Sequence, residues 1–292
     1  MALAVSTTPS RPANAARSQA VAAIASTWRF PQRDAVAVLQ TPYAPVVYLV
    51  PRRPQHILVL AFGYPWDDVP DAKILAYAQA NVRAWSRFAQ QDHVMIVAPV
   101  LGGSNFLDFR TLSGRLIDPD TFVNALVDGP ARRAMPDSDG KFCIHGHSAG
   151  AQFVARYVVA NPNRIECAIL SAPSTYAMPT LSLAWPFGMA PARDARGRSA
   201  PSERSWTAAA TGAPIDVLVG SRDVETRPPA PGQTGASRLD RGRAWVKGMQ
   251  ALAAAHHQPS SVRFIEVPGV DHNEPRMAIA AQTLLRGIYL NK

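Results

Sequence analysis

Phe142-Cys143-Ile144-His145-Gly146-His147-Ser148-Ala149-Gly150 is the stretch on which the reading of the whole chain turns. Its first half is an apolar run that predicts a strand. Its second half is a cluster of small residues, and a helical pattern follows at once, with Phe153, Val154, Tyr157 and Val158 on one apolar side until Pro162 stops it. Gly146 to Gly150 has the form G-x-S-x-G, and a position between strand and helix is the context in which that pattern presents a nucleophilic serine. The reason is steric. The strand must turn into the helix so sharply that Ser148 is forced into a strained conformation, and Gly146 and Gly150 leave room for it. The helix that begins at Ala149 then points its free amides at any negative charge developing on a bound substrate.

Outward from this stretch, short apolar runs alternate with helix-period segments. Strands are expected at Val46–Val50, His56–Phe62, Val94–Val100, Phe142–His145, Cys167–Ala172, Ile215–Val219 and Val262–Val267. Between them, Leu75, Ala78, Val82, Trp85 and Ala89 recur at helical steps, Asp118 to Arg133 reads as a helix with Pro119 in its first turn, and Arg243 to His256 carries Trp245, Met249 and Leu252. Pro275 opens a final helix with Met277, Ala280, Leu284 and Ile288 inward. Such alternation predicts an α/β fold with a mostly parallel central sheet flanked by helices. Two stretches break the rhythm. Residues 174–213, proline-rich and aromatic, are expected as a lid or cap insertion, and 226–237 as a rim loop, because long connections of this kind usually shape a site. The expected organisation is an N-terminal arm at 1–40 and one catalytic domain at 41–292.

A serine hydroxyl needs a base at neutral pH. His56 and His93 begin strands, at the wrong edge of the sheet, since sites form at the carboxyl edge. His145 lies inside a strand, His147 is expected to point away from its neighbour Ser148, and His256 and His257 end a surface helix. His272 remains, on the loop after the last strand in Val267-Pro268-Gly269-Val270-Asp271-His272. The acid that orients it should end an intervening strand. Asp223 does so in Val217-Leu218-Val219-Gly220-Ser221-Arg222-Asp223, with Glu225 and, less directly, Asp240 as competitors. Asp271 reads as a loop-shaping residue.

The order Ser148, Asp223, His272, each after its own strand, resembles the α/β-hydrolase family over roughly Val46 to the C-terminus. That resemblance implies a serine esterase working through an acyl-enzyme, with an oxyanion hole formed by the amides of Ala149 and of Tyr64 in Phe62-Gly63-Tyr64-Pro65-Trp66. Phe62 departs from the histidine common there. The Gly63-Tyr64 pair and Val267-Pro268-Gly269-Val270-Asp271-His272 are also similar to bacterial poly(hydroxyalkanoate)-depolymerase-like, polyester-cleaving esterases. A small or polymeric ester is the implied substrate. Amide, peptide or lactone cleavage by the same groups, or a non-catalytic binding member of the fold, are the alternatives. Tyr176, Trp185 and Phe187 of the expected lid are the candidate substrate-binding aromatics.

Composition limits other classes. The chain has 292 residues, 47% of them hydrophobic, and no run long enough to span a membrane. The net charge is +9. The positive charge is mostly arginine, scattered along the chain without interleaved aromatics or a DNA-binding helix pattern, so nucleic acid is not an expected partner and an anionic surface or polymer is a minority alternative. No dinucleotide or phosphate-loop pattern occurs, and Asp67, Asp68 and Asp71 read as a polar loop, so neither cofactor nor metal is expected. Met1 to Phe30 lacks the pattern of a secretory signal, although a chain with its signal already removed would look similar. Cys143 and Cys167 are expected as buried small hydrophobes.

Overall fold

The computed structural model describes residues 21, 26–63, 69–103, 105, 106, 108–193, 198–225 and 232–290. Its strands are β1 (Ala37–Leu39), β2 (Val46–Leu49), β3 (His56–Ala61), β4 (Val94–Pro99), β5 (Phe142–His147), β6 (Ile165–Ser171), β7 (Ile215–Gly220) and β8 (Val262–Val267). Among the described residues they form one sheet in the order β1-β2-β4-β3-β5-β6-β7-β8. β2 runs antiparallel to β1 and β4, and every other pairing is parallel. The expected mostly parallel sheet is therefore present, with β5 in its interior.

Strand alternation divides the core in two. In β3, Ile57, Val59 and Ala61 join one hydrophobic cluster, while Leu58 and Leu60 join the other. The first cluster is covered by α3 (Pro119–Leu126), α4 (Ala149–Ala160), α5 (Glu203–Thr211) and α6 (Arg238–Ala255). The second is covered by α1 (Asp71–Ala84), α2 (Ser86–Gln91) and α7 (Glu274–Leu290). Cover on both faces explains why the central strands β3 and β4 read as continuous apolar runs, while the edge strand β8 does not.

Several elements differ from expectation for local reasons. β1 has only three residues, two of them half-buried, too few to show an alternating pattern. The helix expected through Ala89 is divided at the buried Trp85 into α1 and α2. The helix from Asp118 stays α-helical to Leu126 and then widens into a π-turn at Val127–Ala131. Pro130 lies inside that turn, where a normal helix would have needed its missing N–H. α6 starts at Arg238 rather than Arg243, because Ser237 and Asp240 form a reciprocal capping box. In α7 the fully buried face is Met277, Ala278, Ala281 and Leu285, with Ala280, Leu284 and Ile288 half-buried beside it.

Cys143 and Cys167 are buried, as expected, but they are not separate thiols. They are register partners on β5 and β6, with Cα atoms 4.4 Å apart, and form a disulfide.

The described residues of segment 174–213 are more ordered than its composition predicts. The segment contains α5, capped where Ser205 N–H donates to Ser202 Oγ. It is also cross-tied by Met178 N–H to the Phe187 carbonyl and Met189 N–H to the Thr180 carbonyl, both 2.8 Å.

Candidate active site

β5 delivers Ser148 to the carboxyl edge of the sheet, and α4 starts at the next residue. Ser148 has φ +53°, in the left-handed region that a residue with a side chain enters only at a cost. The glycines around it are required by close approach. A Cβ on Gly146 would lie 2.4 Å from the Gly150 carbonyl oxygen, and one on Gly150 only 1.9 Å from that of Ala61. β3 thus packs directly under the turn. Gly63, just past β3, belongs to the same crowding, because its Cβ would lie 2.9 Å from Ser148 Cβ and 3.1 Å from Ala149 N. The Gly63 backbone therefore runs beside the first amides of α4, which lack partners within the helix. Tyr64, the second expected amide donor, lies outside the described residues.

The three residues singled out in sequence meet in one hydrogen-bonded chain. Ser148 Oγ lies 3.0 Å from His272 Nε2, and His272 Nδ1 lies 2.7 Å from Asp223 Oδ2. With Asp223 ionised, Nδ1 carries the proton and donates to the carboxylate, which leaves Nε2 free to accept from the serine hydroxyl. Asp223 ends the turn after β7, and His272 ends the loop after β8. The two loops are joined where Arg222 N–H donates to the Val270 carbonyl at 2.8 Å. Asp223 is 2% exposed, whereas the His272 side chain is about one-third exposed. Burial raises the Asp223 pKa, but the hydrogen bond and charge of His272, and then the charge and hydrogen bond of Arg238, outweigh it and hold the carboxyl below its ordinary value.

Two side chains here were not anticipated. Arg238, in the first turn of α6, donates from Nη1 to Asp223 Oδ1 at 2.7 Å and from Nη2 to Glu225 Oε2 at 2.8 Å. Glu225, a competitor for the acid role in sequence, thus engages the arginine, while Asp240 caps α6. The Ser237-x-x-Asp240 spacing was the available signal, since it fixes where α6 starts. His147 is the second. Its ring packs 4.9 Å from that of His272, centroid to centroid. Burial, reinforced by the neighbouring His272 and His145, drives its pKa well below the ordinary value, so it is a neutral neighbour. His145 is buried in β5 as expected, 3.0 Å from Ser171 Oγ, and burial lowers its pKa to about 3.

The candidate substrate-binding aromatics separate. Tyr176 has no exposed surface and stacks on Trp245, whose indole N–H donates to the Ala177 carbonyl. It belongs to the core, where Gln233 pairs with both backbone polar groups of Tyr176 at 2.9 Å. Trp185 is half-buried, edge-on to the fully buried Trp206. Phe187 is 36% exposed, under a cation–π contact from Arg156 at 5.9 Å.

A search against family models returns no match, and a search against curated proteins returns none either. Solved structures do match. Poly(aspartic acid) hydrolase-1 from Sphingomonas sp. KT-1 superposes with a TM-score of 0.72 at 21% identity, over 87% of this chain and 100% of that one. LpqC, a poly(3-hydroxybutyrate) depolymerase from Bordetella parapertussis, gives 0.66 at 20% identity, over 86% and 89% of the two chains. FphF, a fluorophosphonate-binding serine hydrolase from Staphylococcus aureus, gives 0.53 at 12% identity, over 87% and 97%. The chain has the α/β-hydrolase fold. In that fold the carboxyl edge of the sheet, where Ser148, Asp223 and His272 converge, is where chemistry is placed. No helix of the described residues is long and apolar enough to cross a membrane.

Proposed function

We propose that this chain is a serine hydrolase that cleaves a carboxylic ester through an acyl-enzyme. The observation that carries the reading is the chain Ser148–His272–Asp223, with contacts of 3.0 and 2.7 Å, built on a strained strand-to-helix turn. Ser148 Oγ attacks the carbonyl carbon as His272 Nε2 takes its proton. The resulting imidazolium is stabilised by Asp223 and returns the proton to the leaving alcohol. Water, activated by the same nitrogen, then releases the acid and restores Ser148. The oxyanion is received by the amides of Ala149 and Tyr64, and a donor of this kind is worth about 3–4 kcal/mol in comparable sites. Segment 174–213 is proposed to border the site, with Trp185 and Phe187 as its candidate contacts.

A second reading is supported by charge. The net charge is +9, and one protein sharing this fold is a hydrolase of poly(aspartic acid), a polyanion joined by amide bonds. The same groups perform amide cleavage, with His272 protonating an amine instead of an alcohol. The two readings separate in one experiment that compares p-nitrophenyl esters of increasing chain length, a polyester film and poly(aspartic acid) at low and high salt. Ester cleavage that is insensitive to salt supports the first reading. Polymer cleavage that falls steeply as salt rises supports the second. If a folded sample cleaves none of these and Ser148 resists a fluorophosphonate, the chain is a non-catalytic member of the fold.

A further inference from the structure

Asp223 has two oxygens and two partners. Oδ2 accepts from His272 at 2.7 Å, and Oδ1 accepts from Arg238 Nη1, also at 2.7 Å. Arg238 reaches beyond it to Glu225 at 2.8 Å, so that carboxylate, guanidinium and carboxylate alternate from the buried interior outward. Side-chain exposure rises along the row, from 1% at Asp223 through 7% at Arg238 to 42% at Glu225.

We propose that Arg238 is a positioning residue for the reaction. It clamps Asp223 through the oxygen that His272 does not use, and Glu225 holds and electrically balances the clamp. The proposal rests on the serine-hydrolase reading above.

Three physical points support it. A buried carboxylate held only by an imidazole would leave one oxygen unpaired in a low-dielectric site, which is costly for a charged group. A two-point hold also stops the carboxylate from rotating Oδ2 away from Nδ1. Finally, the clamp is fixed to the frame, because Arg238 is the first residue of α6 and the Ser237–Asp240 capping box sets where that helix begins. The residue type matters as well. A guanidinium is a planar fork that can face two carboxylates at once, which an ammonium on a flexible stem cannot reproduce.

Glu225 has a specific electrical task. A lone cation beside Asp223 would oppose the imidazolium that the reaction must form, and a carboxylate on the far side of Arg238 offsets that opposition. The other titratable or charged groups facing the Asp223–His272 pair are His147 from β5, Glu274 from α7, Arg241 from α6, and Tyr176. Burial holds His147 neutral and pushes the Tyr176 hydroxyl up, so it too is neutral, and all four are unchanged in the variants below.

The test is the pH profile of kcat/KM for a soluble p-nitrophenyl ester, measured on the full chain, wild type and Arg238→Gln, Arg238→Lys and Glu225→Gln. Activity requires the unprotonated pair. Removing the guanidinium favours protonation and moves the acid limb to higher pH, whereas removing the Glu225 charge moves it to lower pH. Arg238→Gln is expected to lower kcat about 10–100-fold with KM changed less than about threefold. Arg238→Lys should recover part of that loss. Glu225→Gln should cost less than about fivefold. Opposite displacement of the two acid limbs is the signature that a purely structural role would not give. Profiles of both variants parallel to wild type would overturn the proposal. If Arg238→Gln does not fold, an unmoved acid limb in Glu225→Gln, altered at a half-exposed site, overturns it alone. Fluorophosphonate labelling of wild-type Ser148 separates the two levels: a labelled, active wild type with unaltered variants sinks only the Arg238 role, while an unlabelled, inactive wild type sinks both.

Discussion

Two of the buried arginines, Arg238 beside the candidate site and Arg156 on the helix that follows Ser148, are held in different ways. Arg238 faces carboxylates, Asp223 and Glu225. Arg156, on α4, is 1% exposed and faces carbonyls, those of Pro186 at 2.9 Å and Gln152 at 3.1 Å, with the Phe187 ring above it. Burial lowers the pKa of Arg156 to about 10, with the charge of Arg110 adding to the effect, and it stays charged at neutral pH. The contrast separates two uses of one residue type. Charge against charge, in the proposed function, adjusts the groups that would exchange protons with a substrate. Charge against neutral carbonyls ties one backbone segment to another, here the excursion 174–213 to the helix that follows Ser148.

The largest expected effect lies on the carboxylate side. Asp223→Asn should retain the fold yet lower kcat by about 10³–10⁴, because the amide favours the wrong imidazole tautomer. A steady-state comparison with Glu225→Gln checks this. If Glu225→Gln were the more damaging of the two, the acid would have been assigned to the wrong residue.

On the carbonyl side the loss should be of stability. Arg156→Met leaves the Pro186 carbonyl without its donor, at a cost of about 1–3 kcal/mol. Urea unfolding would show the midpoint falling, while the pH profile of short-ester hydrolysis keeps its wild-type shape. A displaced profile would mean that Arg156 shares the electrical role assigned to Arg238, and the contrast would collapse.

The smallest expected effect concerns selectivity. Trp185→Ala should change the ratio of kcat/KM between short and long acyl esters by roughly two- to tenfold, the worth of one hydrophobic contact. Fluorophosphonate labelling of Ser148 should stay intact. An unchanged ratio across the series would place Trp185 among the structural aromatics, with Tyr176 and Trp206.

How much of this was legible in sequence follows from the range of the interactions concerned. The parallel sheet was readable because both faces are buried over its central strands, which makes β3, β4 and β5 local apolar runs, whereas the edge strand β8 carries the exposed Arg263 and Glu266. Ser148, Asp223 and His272 could be singled out because each follows its own strand, and position along a strand is a local property. Arg238 was hidden because its importance depends on where α6 starts, and that is set by a capping box outside the apolar period. The packing of His147 against His272 joins residues far apart in sequence, and no spacing encodes it. Tyr176 was assigned to the site because aromatic residues in a long proline-rich connection read the same whether they face a pocket or the core. The disulfide was missed for a similar reason: two cysteines in apolar runs become partners only when β5 and β6 align in register.

The central claim, that Ser148 is acylated during turnover, is tested most directly by rapid quenching of the reaction with p-nitrophenyl acetate, followed by intact-mass and peptide mapping. The account predicts a burst of about one p-nitrophenol per chain and one acetyl group on the peptide that carries Ser148, with both lost in Ser148→Ala. Ester hydrolysis that survives unchanged in Ser148→Ala, or an acetyl group mapped to another residue, would contradict it.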